Sequence, residues 1–209
     1  MPTPTLTFEL DDTIGTITFC RPEERNPISA QLIAEFEQAV ESAANRPELR
    51  ALIITGSGNC FMAGGDIKEF HAMVAETPAE RERAFGKLIG ELINPAVEIL
   101  RGLPQPIVGK IRGACAGFGF SLMAGCDLAL AADNAYFTTG YSLLGTTADG
   151  GGTYFLPRLV GAKKAAELTL LAERLDAQQA LALGLVNRVV PAAELDAACE
   201  ALAIRLAAG

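Results

Sequence analysis

The sequence predicts an α/β fold with mainly parallel strand pairing, on three observations. Short apolar runs alternate along the chain with longer segments of helical periodicity. Two glycine-rich turns, one at residues 61–66 and one at 113–119, each close a strand-like run. Of the 209 residues, 50% are apolar and 20% charged, enough apolar material for one domain with a sizeable core.

The elements follow in order. Residues 5–10 and 13–19 alternate apolar and polar around Asp11-Asp12, which predicts a hairpin. Residues 21–27 read as a loop. Ser29 is placed to cap a helix whose apolar face is Leu32, Ile33, Phe36, Val40 and Ala43. Residues 50–55 form a short strand ending at Gly56-Ser57-Gly58. A helix is expected from Asp66 to about Val74. A longer one is expected after Thr77, with Pro78 at its first position, running to Arg101. Gly102 and Pro104 end it, and Asn94-Pro95 is expected to kink it. Residues 106–112 read as a buried strand, 122–125 as part of a short helix, and 127–132 and 135–138 as strands. Helices are expected over 151–160 and 162–171, separated by Gly161. Asp176 caps 177–183, a strand is expected over 185–190, and a last helix over 192–206. With no internal repeat, low-complexity tract or linker, residues 1–209 read as one domain.

Composition narrows the function. The formal net charge is −8 and no basic stripe is interleaved with aromatics, so no nucleic-acid partner is expected. No uninterrupted apolar run reaches the ~18 residues of a membrane span, and the N-terminus has no signal-peptide pattern. Cys20, Cys60, Cys115, Cys126 and Cys199 include no C-x-x-C and read as reduced, mostly buried residues of a cytoplasmic protein. The lone histidine, His71, leaves no internal metal-ligand set and argues against a Ser-His-Asp triad. Gly56-Ser57-Gly58 follows a strand, but Phe61 stands where a dinucleotide-binding fingerprint needs its third glycine.

Glycines let a backbone turn sharply, and a helix N-terminus adds unpaired N–H donors. Two such turns brought together can hold one oxygen between two N–H groups, as an oxyanion hole does. Taken singly, glycine-rich turns after strands are common in α/β proteins and most hold nothing.

Five segments occur in sequence: the Arg21-Pro22…Asn26 loop, FMAGGDIKEF (61–70), KIRGACAGFGFSLMAGCDLALAAD (110–133), LLGTTADGGGTYFLPRLVG (143–161) and DAQQALALGLVNRVVP (176–191). Together they make the chain resemble the crotonase superfamily, the enoyl-CoA hydratase/isomerase family, over essentially its whole length. The resemblance implies a crotonase-like spiral of stacked ββα units with peripheral helices, assembled as homotrimers or dimers of trimers. It implies an acyl-CoA thioester as substrate, with coenzyme A part of that substrate and no separate cofactor. It implies oxyanion donors at the backbone N–H groups of Gly65 and Phe118. Substrate contacts are implied along Ala63, Asp66, Ile67 and Lys68, and at Arg25 beside the cleft. Lys68 and Arg25 read equally as ordinary solvated charges. Members of the family usually continue into C-terminal helices that help cover the acyl pocket and build the trimer, and residues 1–209 read as a single domain without that extension.

The two glutamates of the family's hydratases fall on Ser121 and Tyr141, neither of which can serve as a carboxylate base. The pattern is therefore nearer the isomerases, some of which carry a single acid/base where Asp149 stands. Asp149 precedes a glycine run that opens a helix, so an N-terminal capping role is the competing reading. Tyr141 reads as pocket wall, substrate hydrogen-bond partner or core. Alternatives to an isomerase are an enoyl-CoA hydratase of fatty-acid β-oxidation, a hydrolase or dehalogenase attacking through Asp149, and a degenerate acyl-CoA-binding paralogue.

Overall fold

A computed structural model describes residues 4–72 and 77–209. The chain opens with the expected hairpin. Strand β1 (Leu6–Asp11) pairs antiparallel with β2 (Ile14–Phe19), and Asp12 turns between them with φ 52°. From β2 onward the six-stranded sheet is parallel, in the order β1-β2-β3-β4-β6-β9. Its later members are β3 (Ala51–Gly56), β4 (Ile107–Ile111), β6 (Leu128–Ala132) and β9 (Arg188–Val190). A smaller sheet joins β5 (Ala114–Ala116), β7 (Tyr136–Thr138) and β8 (Leu175–Asp176).

The two sheets are the two layers of a spiral. After β2 the chain crosses to Ile28 and enters helix α1 (Ala30–Ala44). After β3 it crosses to Met62 and Gly65 and enters α2 (Ile67–Ala72). After β4 it crosses to β5 and enters α5 (Phe118–Gly125). After β6 it crosses to β7 and reaches α6 (Gly152–Leu171). The bridges Ile28–Gly65 and Met62–Cys115, then β5 on β7, stack these crossings on one another. This is the expected spiral of ββα units.

The period-two alternation of strands decides which core each residue enters. Leu52 and Ile54 of β3, with Ala129 and Ala131 of β6, point into the main core, where α1 contributes Leu32, Ile33, Phe36 and Val40. Ala51, Ile53, Val108, Leu130 and Ala132 point the other way, onto α8 (Leu195–Ala207). There Leu195, Cys199 and Ala203, spaced four apart on one helical face, are fully buried. Lys110 on the same side of β4, together with Arg112, pairs with Asp196 of α8 at 2.8 and 2.6 Å.

Local chemistry sets the helix starts as expected. The Ser29 side chain accepts the Leu32 N–H, and Thr77–Glu80 and Asp176–Gln179 form reciprocal capping boxes on α3 (Pro78–Lys87) and α7 (Ala177–Ala182). Gly161 interrupts α6 with φ 78° and ψ 158°.

Several expectations need correction. The long helix after Thr77 is two α-helices, α3 and α4 (Asn94–Gly102), joined by a π-helical turn over Leu88–Ile93. Pro95 has no N–H, and its ring would strike the carbonyl four residues back. The helix widens before it, so that the Asn94 N–H bonds Ile89 five residues back. The short helix of which residues 122–125 are expected to be part runs from Phe118 to Gly125, and α6 begins at Gly152, one residue after the expected start. Strands β5 and β8 were not expected: they are short, and only distant partners define them. The strand expected over 185–190 shrinks to Arg188–Val190, because Leu185 N–H bonds back to Ala180 in a turn. Helix α2 is described to Ala72, and Val74 lies outside the described residues.

The 21–27 loop is clamped by Asn26, which has φ 52° and is fully buried. Its Nδ2 lies 2.8 Å from Cys60 O and 3.2 Å from both Phe61 O and Ser57 O, and its Oδ1 accepts the Arg21 N–H. Asn26→Ala strands buried carbonyls and a left-handed backbone together. We expect it to cost about 2–4 kcal/mol, read as a lowered denaturant midpoint.

Candidate active site

The two glycine-rich turns are stitched side by side. Met62 N–H donates to Ala114 O, and Ala116 N–H donates to Met62 O, at 3.0 and 2.9 Å. On the other side, Ile28 N–H donates to Gly64 O and Asp66 N–H to Ile28 O. Both turns then reverse through positive φ, +100° at Gly64 and +53° at Gly117. Their backbones touch: a Cβ on Gly117 would lie 3.2 Å from the Gly64 Cα. The residues that follow are Gly65 and Phe118, so the two expected donors come from abutting turns. Phe118 is the first residue of α5, where an N–H has no intrahelical acceptor. Among the described residues no backbone acceptor takes the N–H of either Gly65 or Phe118. The buried Phe118 ring packs against Gly150, where a Cβ would lie 2.7 Å away.

Both turns line a cavity of about 400 Å³. Tyr141 and Asp149 border it, with an apolar wall of Ile67, Phe70, Phe85, Leu88, Ile89 and Ile93. The Phe70 and Phe85 rings meet at 5.2 Å. The π-helical turn contributes Leu88, Ile89 and Ile93 to this wall.

Asp149 does not cap a helix. The N-cap of α6 is Gly151, which makes no side-chain cap bond. The Asp149 carboxylate turns instead to Tyr141, whose hydroxyl donates to Oδ1 at 2.6 Å. The Tyr141 hydroxyl also lies 3.0 Å from Ser121 Oγ. Tyr141 opens a 3-10 turn (Tyr141–Leu144) after β7, and Ser121 lies on buried α5. The glycines after Asp149 make this approach possible, because a Cβ on Gly152 would strike Ser121 Oγ. Burial pushes the Asp149 carboxyl up from its ordinary value, against the pull of the Tyr141 hydrogen bond and of its own backbone N–H. Burial first, and then the Asp149 charge, push the Tyr141 hydroxyl well up, so it stays a donor.

Ala63, Gly65, Ile67, Phe118, Tyr141 and Asp149 therefore share one cavity. Asp66, Lys68 and Arg25 do not line it. The Asp66 carboxylate is buried, pairs with Arg21 at 3.0 Å and accepts the Lys68 N–H that opens α2. Lys68, 83% exposed at its side chain, pairs with Glu24 at 3.1 Å. Arg25 is exposed, and its carbonyl holds the Ala63 N–H. His71 is exposed on α2.

Sequence reasoning missed three features. Glu69 stands on the cavity rim, exposed, and accepts the Ala30 N–H at 3.1 Å. Phe85 closes the wall, and the signal for it was an aromatic residue alone on an otherwise charged helix. The bond from Tyr141 to Ser121 had no signal, since it spans 20 residues and two unrelated elements.

All five cysteines are free, and burial pushes Cys126 and Cys199 up to about 12, far from a reactive thiolate. Among the described residues no cluster of His, Cys, Asp or Glu could hold a metal ion, and no helix is long and apolar enough to cross a membrane.

The family described as Enoyl-CoA hydratase/isomerase matches residues 9–209. A 1,2-epoxyphenylacetyl-CoA isomerase of Escherichia coli is 33% identical over 93% of this chain and 72% of its own length. A 4-chlorobenzoyl coenzyme A dehalogenase-2 of an Arthrobacter species is 31% identical over 97% of this chain and 72% of its own. Among solved structures, an enoyl-CoA hydratase from Mycobacterium avium subsp. paratuberculosis superposes with a TM-score of 0.88 at 33% identity, covering 100% of this chain and 80% of that one.

Proposed function

This chain belongs to the enoyl-CoA hydratase/isomerase family, and we propose that it is an isomerase acting on an enoyl-CoA thioester, with Asp149 as its single acid and base. The observation that carries this reading is the company Asp149 keeps. It is a partly buried carboxylate, its affinity for a proton raised, in the cavity that both glycine turns line. The positions of the hydratase glutamates hold a serine and a tyrosine instead, joined to it by hydrogen bonds. Glu69, the other carboxylate on the cavity among the described residues, is exposed at its rim and already bonded to a backbone N–H.

The reaction follows from these groups. The thioester carbonyl oxygen sits between the N–H groups of Gly65 and Phe118. Asp149 takes a proton from the carbon next to that carbonyl. The electrons of the broken C–H bond move onto the oxygen, giving an enolate that the two donors stabilise. Each donor contributes about 3–4 kcal/mol to the transition state. Asp149, now protonated, returns the proton two carbons further along. The double bond moves into conjugation with the carbonyl, and Asp149 is again a carboxylate. The apolar wall from Ile67 to Ile93 receives the acyl chain, and the reading extends to a homotrimer as the working assembly.

The test is a paired assay of the purified protein on 3-enoyl-CoA and 2-enoyl-CoA. Fast conversion of the first to 2-enoyl-CoA, with little hydration of the second, is the expected result. Fast hydration of 2-enoyl-CoA would place a water beside Asp149 and make the protein a hydratase. Acyl-CoA binding with neither reaction would assign the chain to another thioester chemistry or to binding alone.

A further inference from the structure

The two oxygens of Asp149 are not equivalent. Oδ1 accepts the Tyr141 hydroxyl at 2.6 Å, whereas among the described residues no other side chain bonds the carboxylate, whose further donor is its own backbone N–H. Tyr141 has one proton and spends it on Asp149, so the 3.0 Å contact to Ser121 must be donated by the serine. The chain of bonds therefore has a direction, from Ser121 through Tyr141 to Asp149. It also has an end. Ser121 is 1% exposed, and the start of α6 lies against its hydroxyl at Gly152, so the chain stops inside the protein. Besides Tyr141, the Asp149 carboxylate has its own backbone N–H. Three glycines follow it, the first two at φ 53° and 81°, and none offers a side chain to pack against it.

Taking Asp149 as the acid and base proposed above, we infer that Tyr141, backed by Ser121, is the positioning residue of the site: it occupies Oδ1, so that Oδ2 alone takes the substrate proton and keeps it for return to the same acyl chain. A proton on Oδ2 has no relay to follow. Behind it, Oδ1 already accepts a donor that points inward and the next group is a buried serine, and in front of it the bound acyl chain fills the cavity. Holding the carboxylate still also keeps Oδ2 in reach of both carbons it serves, the one it deprotonates and the one it reprotonates.

The experiment uses the full chain and 3-enoyl-CoA carrying deuterium at C2. Three quantities are read for wild type, Tyr141→Phe, Ser121→Ala and Asp149→Asn: the share of deuterium recovered at C4, kcat and KM, and the pH dependence of kcat. Wild type is expected to carry much of the deuterium across. Tyr141→Phe is expected to lose most of that transfer as water enters beside the freed oxygen. Its kcat is expected to fall about 10–100-fold, the scale of one hydrogen bond to a charged group, while KM changes little. The acid limb of its kcat profile is expected to move to higher pH, because the Tyr141 bond is the larger of the two, with the Asp149 backbone N–H, that hold the Asp149 carboxyl down against burial. Ser121→Ala is expected to shift both readouts the same way by less, and it decides the question alone should Tyr141→Phe not fold. A folded Tyr141→Phe with wild-type deuterium transfer and an unmoved acid limb overturns the inference. An active Asp149→Asn overturns the acid/base reading beneath it, which is a different result.

Discussion

Asp149→Asn is expected to lower isomerisation about a thousandfold, within the 10²–10⁴ range of a positioned acid–base group, and to leave the protein folded. Asparagine has nearly the shape of aspartate and keeps an oxygen that can accept the Tyr141 hydroxyl, so the hydrogen-bond chain survives. What it loses is a basic site that can hold and release a proton. Stability should move the other way. A carboxyl whose proton affinity is raised by folding favours the folded state only while it stays protonated, and loses that contribution as pH rises through the folded pKa. Ionised Asp149 thus weighs against folding at neutral pH, and the neutral amide does not. The melting temperature of Asp149→Asn at pH 8 is expected to equal or exceed that of wild type. The same raised affinity fixes the pH behaviour of wild type: kcat/KM should fall on the acid side at a higher pH than an ordinary aspartate would give. A variant that melts early and loses activity in proportion would mean that Asp149 is structural.

Gly117→Ala is the second large effect expected, about 10²–10³ in kcat/KM together with about 1–3 kcal/mol of stability. The proposed oxyanion donors are main-chain groups, so exchanging the Phe118 side chain leaves its N–H in place. The peptide can be moved only through the residue that orients it. Gly117 sits at φ 53° and ψ −123°, a conformation L residues avoid, and a Cβ there would press to 3.2 Å on the Gly64 Cα. An alanine must either strain or rotate, and rotation turns the Phe118 N–H away from the carbonyl and pushes the two turns apart. Phe118→Leu is the matched control, since it perturbs packing but not the donor. A KM nearly unchanged for Gly117→Ala, with kcat reduced, would mark a loss felt in the transition state. Equal losses in Gly117→Ala and Phe118→Leu would point to the ring, not the N–H.

Legibility in the sequence followed the range of the interaction. Features settled within one turn of chain could be read directly: the Ser29 cap, the Thr77 and Asp176 starts, the Gly161 break and the hairpin at Asp12. Features settled by a partner far along the chain could not. β5 is three small residues whose strand character comes from Tyr136–Thr138, and β8 is two residues that pair with β7. The π-helical turn lies between: Pro95 announced a disturbance but not its form. In the site, the glycine turns and Asp149 were visible because glycine and carboxylate carry their chemistry in their type. The union of Ser121, Tyr141 and Asp149 was not, because a hydroxyl's partner depends on three elements meeting. Asp66 shows the converse. It stands between two cavity residues in sequence, yet its carboxylate turns outward to Arg21.

The spiral divides the labour of the site in a way that bears on how such a chain can change. The groups proposed for chemistry sit on the inner crossings, and those crossings are tight: only Arg112 and Gly113 separate β4 from β5, and only residues 133–135 separate β6 from β7. A residue inserted there would slide one turn of the spiral past the next and part the donors. Most of the apolar wall comes from the outer return between β3 and β4, which carries α2, α3, the π-helical turn and α4. Within it α3 has no buried residue, and the bonds that fix Gly65 beside Phe118 run through Ile28, Met62, Ala114 and Ala116, so α3 can change without breaking them. On the proposed reading, substrate choice and reaction type lie largely on separate stretches of one polypeptide, and a shift of preferred acyl chain can leave the groups proposed to form the enolate unchanged.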